Sequence, residues 1–225
     1  LSVKQNLENI RGKIKSTCEK VNRNESDITI IAVTKYVSND RAKEAISAGV
    51  THLGENRDEG FREKWATIQE AATWHFIGTL QTRKVKNIIN EIDYIHSLDR
   101  LSLAKEINNR ANSEVKCFVQ VNVSQEDSKH GLNPNDVLTF MKDLHSYPNI
   151  KVVGLMTMAP FTDDEAIIRE CFRSLKKLQL DVQALNLTYA PCTELSMGMS
   201  NDYTIAIEEG ATFIRIGSAL VGEDS

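Results

Sequence analysis

Ile28-Thr29-Ile30-Ile31-Ala32-Val33-Thr34-Lys35-Tyr36 reads as a short buried strand that runs straight into a lysine. Its first six residues are mostly β-branched and too few for a stable helix. A near-continuous apolar run of this kind suits a strand covered on both faces, as in parallel sheets. Upstream, Val3, Leu7, Ile10, Ile14 and Val21 recur at heptad-like spacing, so the chain opens with a helix. Downstream the alternation continues. Strands are expected near 28–33, 50–53, 74–77, 92–96, 115–123, 151–157, 193–197 and 211–216. Helices are expected near 39–48, 56–71, 80–90, 99–111, 134–146, 163–179 and 200–209.

Local signals mark several helix ends. Thr162-Asp163-Asp164-Glu165 reads as a capping box, Asn133-Pro134 as an N-cap before a first-turn proline, and Ser200 as the cap of the helix that follows it. Gly49 and Gly210 fall where helix C-terminal glycines belong. Eight strands alternating with helices in 225 residues predict a single-domain α/β chain, residues 1–225, folded as a (β/α)8 TIM barrel. An open doubly wound sheet is the rival. No G-x-G-x-x-G follows the first strand and no Walker A string occurs.

Composition narrows the function classes. A net charge of -4 argues against broad nucleic-acid binding. No apolar run approaches the roughly 20 residues that cross a bilayer, and the first 25 residues lack a signal-peptide apolar block. Leu1 in place of Met reads as a trimmed or processed start. The four cysteines, at 18, 117, 171 and 192, form no C-x-x-C pair and no metal spacing, so a reduced, cytoplasmic setting and no metal are expected.

In a barrel the chemistry belongs at the C-terminal ends of the strands. Lys35 ends the first strand. It is either a surface lysine just past the strand or a Schiff-base lysine, whose partly desolvated amine attacks a carbonyl. Asn56, after the second strand, either meets a ligand or caps the next helix. His75, in the third strand, is either a satisfied core residue or a wall of the site. The other histidines, 52, 96, 130 and 145, show no metal-ligand spacing. After the last two strands, Met199-Ser200 and Gly217-Ser218 put serine and glycine where helices begin, which suits either capping or a phosphate cradle. Arg215 is either an ion-pair partner or a contact to a ligand ring. A lysine on strand one and a phosphate cradle on strands seven and eight are neighbours in a closed barrel. A phosphorylated aldehyde, pyridoxal 5'-phosphate, fits between them.

The strings AVTKY (32–36), HLGENR (52–57), WHFIGTLQTRKVK (74–86), VNVSQEDSKHG (121–131), GLMTM (154–158), ELSMGMSNDY (194–203) and IRIGSALVGE (214–223) resemble the YggS/PROSC family of pyridoxal-phosphate homeostasis proteins. That resemblance implies the alanine-racemase N-terminal barrel, PLP fold type III. It implies that Lys35 joins the cofactor as a Schiff base. Ser200, Gly217 and Ser218 would hold the phosphate, Arg215 would approach the pyridine nitrogen, and Asn56, His75 and Met199 would line the pocket. Segment 182–192 matches no motif. The function implied is a carrier or buffer of pyridoxal phosphate without strong turnover, with amino acids as an open second ligand and no recipient protein readable from the residues. An amino-acid racemase or decarboxylase on the same barrel is the alternative. Such enzymes complete their site with a second β-rich domain, and none is expected in the nine residues after the last strand. A class I aldolase is the third reading.

Overall fold

The computed structural model describes residues 1–127 and 130–222. Ser128 and Lys129 of the VNVSQEDSKHG string and residues 223–225, with Glu223 of the last string, lie outside the described residues. Helix α1 (Val3–Lys20) starts at a capping box between Ser2 and Gln5 and buries Val3, Leu7, Ile10 and Ile14. The chain then alternates β1 (Thr29–Val33), α2 (Asn39–Ser47), β2 (His52–Glu55), α3 (Asp58–Ile68), β3 (Thr73–Phe76), β4 (Tyr94–Leu98), α4 (Leu101–Arg110), β5 (Val115–Gln120), α5 (Val137–Asp143), β6 (Ile150–Met156), α6 (Glu165–Gln183), β7 (Glu194–Ser196), α7 (Tyr203–Glu208) and β8 (Phe213–Ile216). The eight strands pair in sequence order, all parallel, and close into a barrel, which rules out the open-sheet rival. Closure runs through Thr29↔Phe213 to Ala32↔Ile216.

One apolar layer lies between sheet and helices. A smaller one fills the barrel itself, with Ile31, Phe118, Val153, Met156 and Phe213. Gly49 and Gly210 follow α2 and α7 with φ of +109° and +110°, a conformation that a Cβ would strain. All four cysteines are buried, and none pairs with another in a disulfide. Burial pushes the Cys117 and Cys192 thiols up to about 12, so both act as small apolar groups.

Several local expectations are corrected. The segment expected as a helix over 80–90 is a 3-10 helix, Thr82–Asn87. In such a helix residues i and i+3 eclipse, which puts Lys84 and Asn87 on one side. Both reach Asp58, at 2.8 and 2.9 Å. The N-cap of α6 is Asp164, which accepts from the amides of Ala166 and Ile167; Thr162 instead accepts from the Asp164 amide. Ser200 does not cap α7, which begins at Tyr203; its hydroxyl accepts from the Ala219 amide at 3.4 Å. Asn133 does cap the turn that starts at Pro134. Strand β2 runs two residues beyond its expected end, through Gly54 to Glu55.

Segment 182–192 serves the barrel wall. The Tyr189 hydroxyl donates to the Met141 carbonyl at 2.9 Å. The Cys192 carbonyl accepts from the Gln179 and Gln183 amides, and the Cys192 amide donates to the Val152 carbonyl on β6. Among the described residues no helix is long and apolar enough to cross a membrane.

Candidate functional site at the C-terminal rim

Strand β1 delivers Lys35 to the rim. Thr34 is fully buried and donates to the Glu55 carboxylate at 2.7 Å, so the residue before the lysine is clamped to the end of β2. Lys35 is half-buried, with its Nζ over the Tyr36 ring at 4.8 Å from the centroid. Among the described residues it has no ion-pair partner. It lines a cavity of about 700 Å³ together with Glu55, Asn56, Phe76, Thr79 and Lys84. Asn56 does not cap α3: that position belongs to Arg57, which makes no side-chain cap bond. The capping alternative for Asn56 is thereby removed, and its side chain is left on the cavity wall.

Strand β8 ends beside β1. Ala32 is level with Ile216, so Gly217 comes level with Val33, two residues before Lys35. A Cβ at Gly217 would meet only Val33, at 3.6 Å, an ordinary contact. Packing within the protein therefore does not require glycine there. What glycine leaves is room over the backbone. After it, the amides of Leu220 and Val221 both reach the Gly217 carbonyl and the Gly222 amide reaches the Ser218 carbonyl, closing a single turn. Ser218 is exposed at the start of that turn. The Ser200 hydroxyl, from the loop after β7, ties on through the Ala219 amide. Serine hydroxyls and a turn's first amides are the donors that an anion needs.

Arg215 is buried and points across the barrel. It donates to the Ser196 hydroxyl at 2.6 Å and to the Thr157 carbonyl at 3.1 Å. Burial lowers its pKa to about 10, against the opposing pull of Asp202, so it stays cationic at neutral pH. His75 is fully buried, and both ring nitrogens are engaged by other histidines, His52 and His96, at 2.8 Å each. Met199 is partly exposed and lines a separate cavity of about 690 Å³ with Phe161 and Ile205. The predicted residues thus divide. Lys35 and Asn56 share one cavity, Ser200, Gly217 and Ser218 form the adjoining turn cluster, Arg215 and His75 lie in the barrel interior, and Met199 stands apart.

Residues the sequence did not single out complete the rim. Glu55 is buried and pairs with buried Lys64 at 3.0 Å. Asp58 pairs with Lys84 at 2.8 Å. Burial alone would raise the Asp58 pKa, but the hydrogen bonds from Lys84 and Asn87 outweigh it and hold the carboxyl at about 2. The Lys84 pKa is raised by its bonds to Asp58 and Glu59. Glu55 was hidden because the second strand was expected to end at residue 53, short of it. The signal that could have exposed it is the strand period, which puts Leu53 and Glu55 on one face. Among the described residues no cluster of His, Cys, Asp and Glu is arranged for a metal.

Comparison with known proteins gives the family of the chain. The alanine racemase N-terminal domain family matches residues 3–225. A pyridoxal phosphate homeostasis protein of Aquifex aeolicus is 37% identical over 223 residues, covering 97% of each chain. One from Escherichia coli K12 is 30% identical, covering 98% of this chain and 96% of that protein. The structure of PipY from Synechococcus elongatus with PLP bound superposes with a TM-score of 0.85 at 29% identity, covering 98% of this chain and all of that one. Alanine racemase of Clostridium difficile shares the fold, with a TM-score of 0.79 at 16% identity; the match takes in 97% of this chain and 56% of that chain. The chain belongs to the alanine racemase N-terminal domain family, within its pyridoxal phosphate homeostasis proteins.

Proposed function

We propose that the chain binds pyridoxal 5'-phosphate at this rim and acts as a cytoplasmic holder of the cofactor, not as an enzyme of ordinary turnover. One juxtaposition carries the reading. An amine with no carboxylate partner among the described residues, Lys35, ends β1, and an open glycine-serine turn ends the neighbouring strand β8. The cofactor, when bound, supplies an aldehyde that an amine can capture reversibly. Lys35 offers that amine. It is half-buried and, among the described residues, no carboxylate holds it away from an incoming carbonyl. Ser200, Ser218 and the backbone at Gly217 offer donors to the phosphate. Arg215 lies two residues before Gly217 and so shares its face of β8. A cation there would disfavour a proton on a pyridine nitrogen held beside it, which supports holding the cofactor over turnover. The names of the Aquifex and Escherichia relatives and the PLP-bound PipY structure support the same reading.

Binding is tested by incubating the protein with pyridoxal phosphate, reducing with borohydride and mapping the tryptic peptides. Modification at Lys35 is expected. Modification chiefly at Lys84 or Lys86 overturns the reading. The racemase alternative is tested by deuterium exchange at Cα of L- and D-alanine with loaded protein. Exchange far slower than roughly 1 s⁻¹ is expected, and turnover at that rate or faster promotes the racemase.

A further inference from the structure

Five polar side chains run through the barrel in one unbroken line. His52 Nδ1 lies 2.8 Å from His75 Nε2, His75 Nδ1 lies 2.8 Å from His96 Nε2, and His96 Nδ1 lies 2.8 Å from Ser196 Oγ. Ser196 Oγ in turn accepts from Arg215. The strand registers explain the line. His52 is level with Thr73, two residues before His75, and His75 is level with Tyr94, two residues before His96. Each histidine therefore sits one inward-facing position further along the barrel than the last. The line begins at the N-terminal mouth, where half-buried His52 lines a cavity of about 400 Å³, and ends at Arg215.

The donors and acceptors allow one direction only. A guanidinium can only donate, so Ser196 Oγ accepts from Arg215. The hydroxyl has one proton, and its other partner among the described residues is His96 Nδ1. If His96 donated there too, that proton would be stranded at a fully buried site, a costly arrangement. Ser196 must therefore donate to His96. The Nε2–H of His96 then donates to His75, and the Nε2–H of His75 donates to His52. All three rings share one tautomer, with the proton on Nε2. Stacking holds the rings in place: Tyr94 lies parallel to His75 at 4.5 Å, and Phe118 to His96 at 4.3 Å.

We propose that Ser196, His96, His75 and His52 are positioning residues forming a single polarised chain that holds Arg215 in place and links it to the N-terminal mouth of the barrel. The chain's relevance to a ligand rests on the assignment of Arg215 to the rim site; the polarity does not. Burial holds all three imidazole pKa values down, furthest at His75 and His96. The charges facing the chain are Asp93 and Lys116 at His52, Lys116 again at His75 and Arg215 at His96, with Arg11 and Glu25 in the cavity beside His52. Because His52 Nδ1 already accepts from His75, His52 can take up a proton only if His75 and His96 change tautomer. Ser196 then loses the acceptor for its own proton.

Nitrogen-15 NMR of histidine-labelled native protein tests this without cofactor. At about pH 7 the three rings are expected as Nε2–H tautomers. On acidification, His52 is expected to titrate together with a tautomer change at His75 and His96. Ser196→Ala is expected to shift His52, three hydrogen bonds away, toward Nδ1–H, and Ser196→Thr to restore it. Mixed tautomers in the native protein, His52 titrating alone, or an unmoved His52 in Ser196→Ala each overturns the proposal. The native measurement decides by itself if Ser196→Ala does not fold. Failure of borohydride trapping at Lys35 would instead count against the cofactor site and leave the chain's polarity standing.

Discussion

On the β1–β8 side of the rim, Lys35 makes no ion pair among the described residues, and the neighbouring strand β8 ends in the Gly217-Ser218 turn. On the β2–β3 side, Lys64 is held by Glu55, and Lys84 by Asp58 and Glu59. All three lysines lie near the strand ends, yet their surroundings divide the work. A paired ammonium is held in place by its acids, whereas Lys35, unpaired among the described residues, is left to reach an incoming carbonyl. The β2–β3 sector is thereby built as a fixed wall, and the β1–β8 sector is left as the reactive edge.

Lys35→Ala breaks that comparison most sharply. Borohydride trapping of pyridoxal phosphate is expected to be abolished, not redirected to Lys84 or Lys86, because Lys84 is committed to two acids. Mass spectrometry of the reduced digest decides it, and stoichiometric trapping at another rim lysine in the variant would show that pairing does not control reactivity.

Glu55→Ala attacks the fixed wall instead. It leaves Lys64 buried without its counter-ion and Thr34 with only the longer bond to the Gly54 carbonyl, at 3.5 Å. Removing one partner of a buried pair costs about 3–5 kcal/mol, readable as a fall in the denaturant midpoint at unchanged slope. A loss below about 1 kcal/mol would mean that the pair behaves as a solvated one.

Ser200→Ala and Ser218→Ala sharpen the reactive edge. Each is expected to weaken pyridoxal phosphate by about 1.5–3 kcal/mol, the value of a hydrogen bond to a charged group, and to leave unphosphorylated pyridoxal nearly unchanged. Equal losses for the two ligands, measured by fluorescence titration, would remove both serines from the phosphate.

The two sectors were not equally legible in the sequence. Lys35 and the Gly217-Ser218 turn stand at the ends of strongly apolar strands, so the one-dimensional pattern reveals them. The barrel follows from the same alternation of strand and helix. Glu55 and the histidine chain were hidden for a shared reason: their roles depend on which residues stand level across strands, and a single sequence carries no register. His52, His75 and His96 look unrelated at separations of 23 and 21 residues until the strands are aligned side by side. The 3-10 turn over Thr82–Asn87 was misread because its apolar spacing suits either helix type. Its geometry is decided by the distant Asp58, which draws Lys84 and Asn87 to one side.

Asp58 gives the smallest effect, and one with a defined pH window. Its folded pKa, about 2, lies below its ordinary value of 3.8. A carboxyl depressed by folding contributes stability that is fully present above the unfolded pKa and is lost as pH falls through the folded one. The contribution should therefore stand at neutral pH, decline from about pH 4 and vanish near pH 2. Its size is at most about 2 kcal/mol, since Lys84 is partly exposed and solvent screens the pair. Asp58→Asn keeps the size of the side chain and removes the titrating group. Urea midpoints of native and variant protein should differ at about pH 7 and converge toward pH 2. A difference that stays constant across that range would mean that the Asp58 carboxylate draws no net stability from Lys84, and the wall on the β2–β3 side would then rest on the Glu55–Lys64 pair.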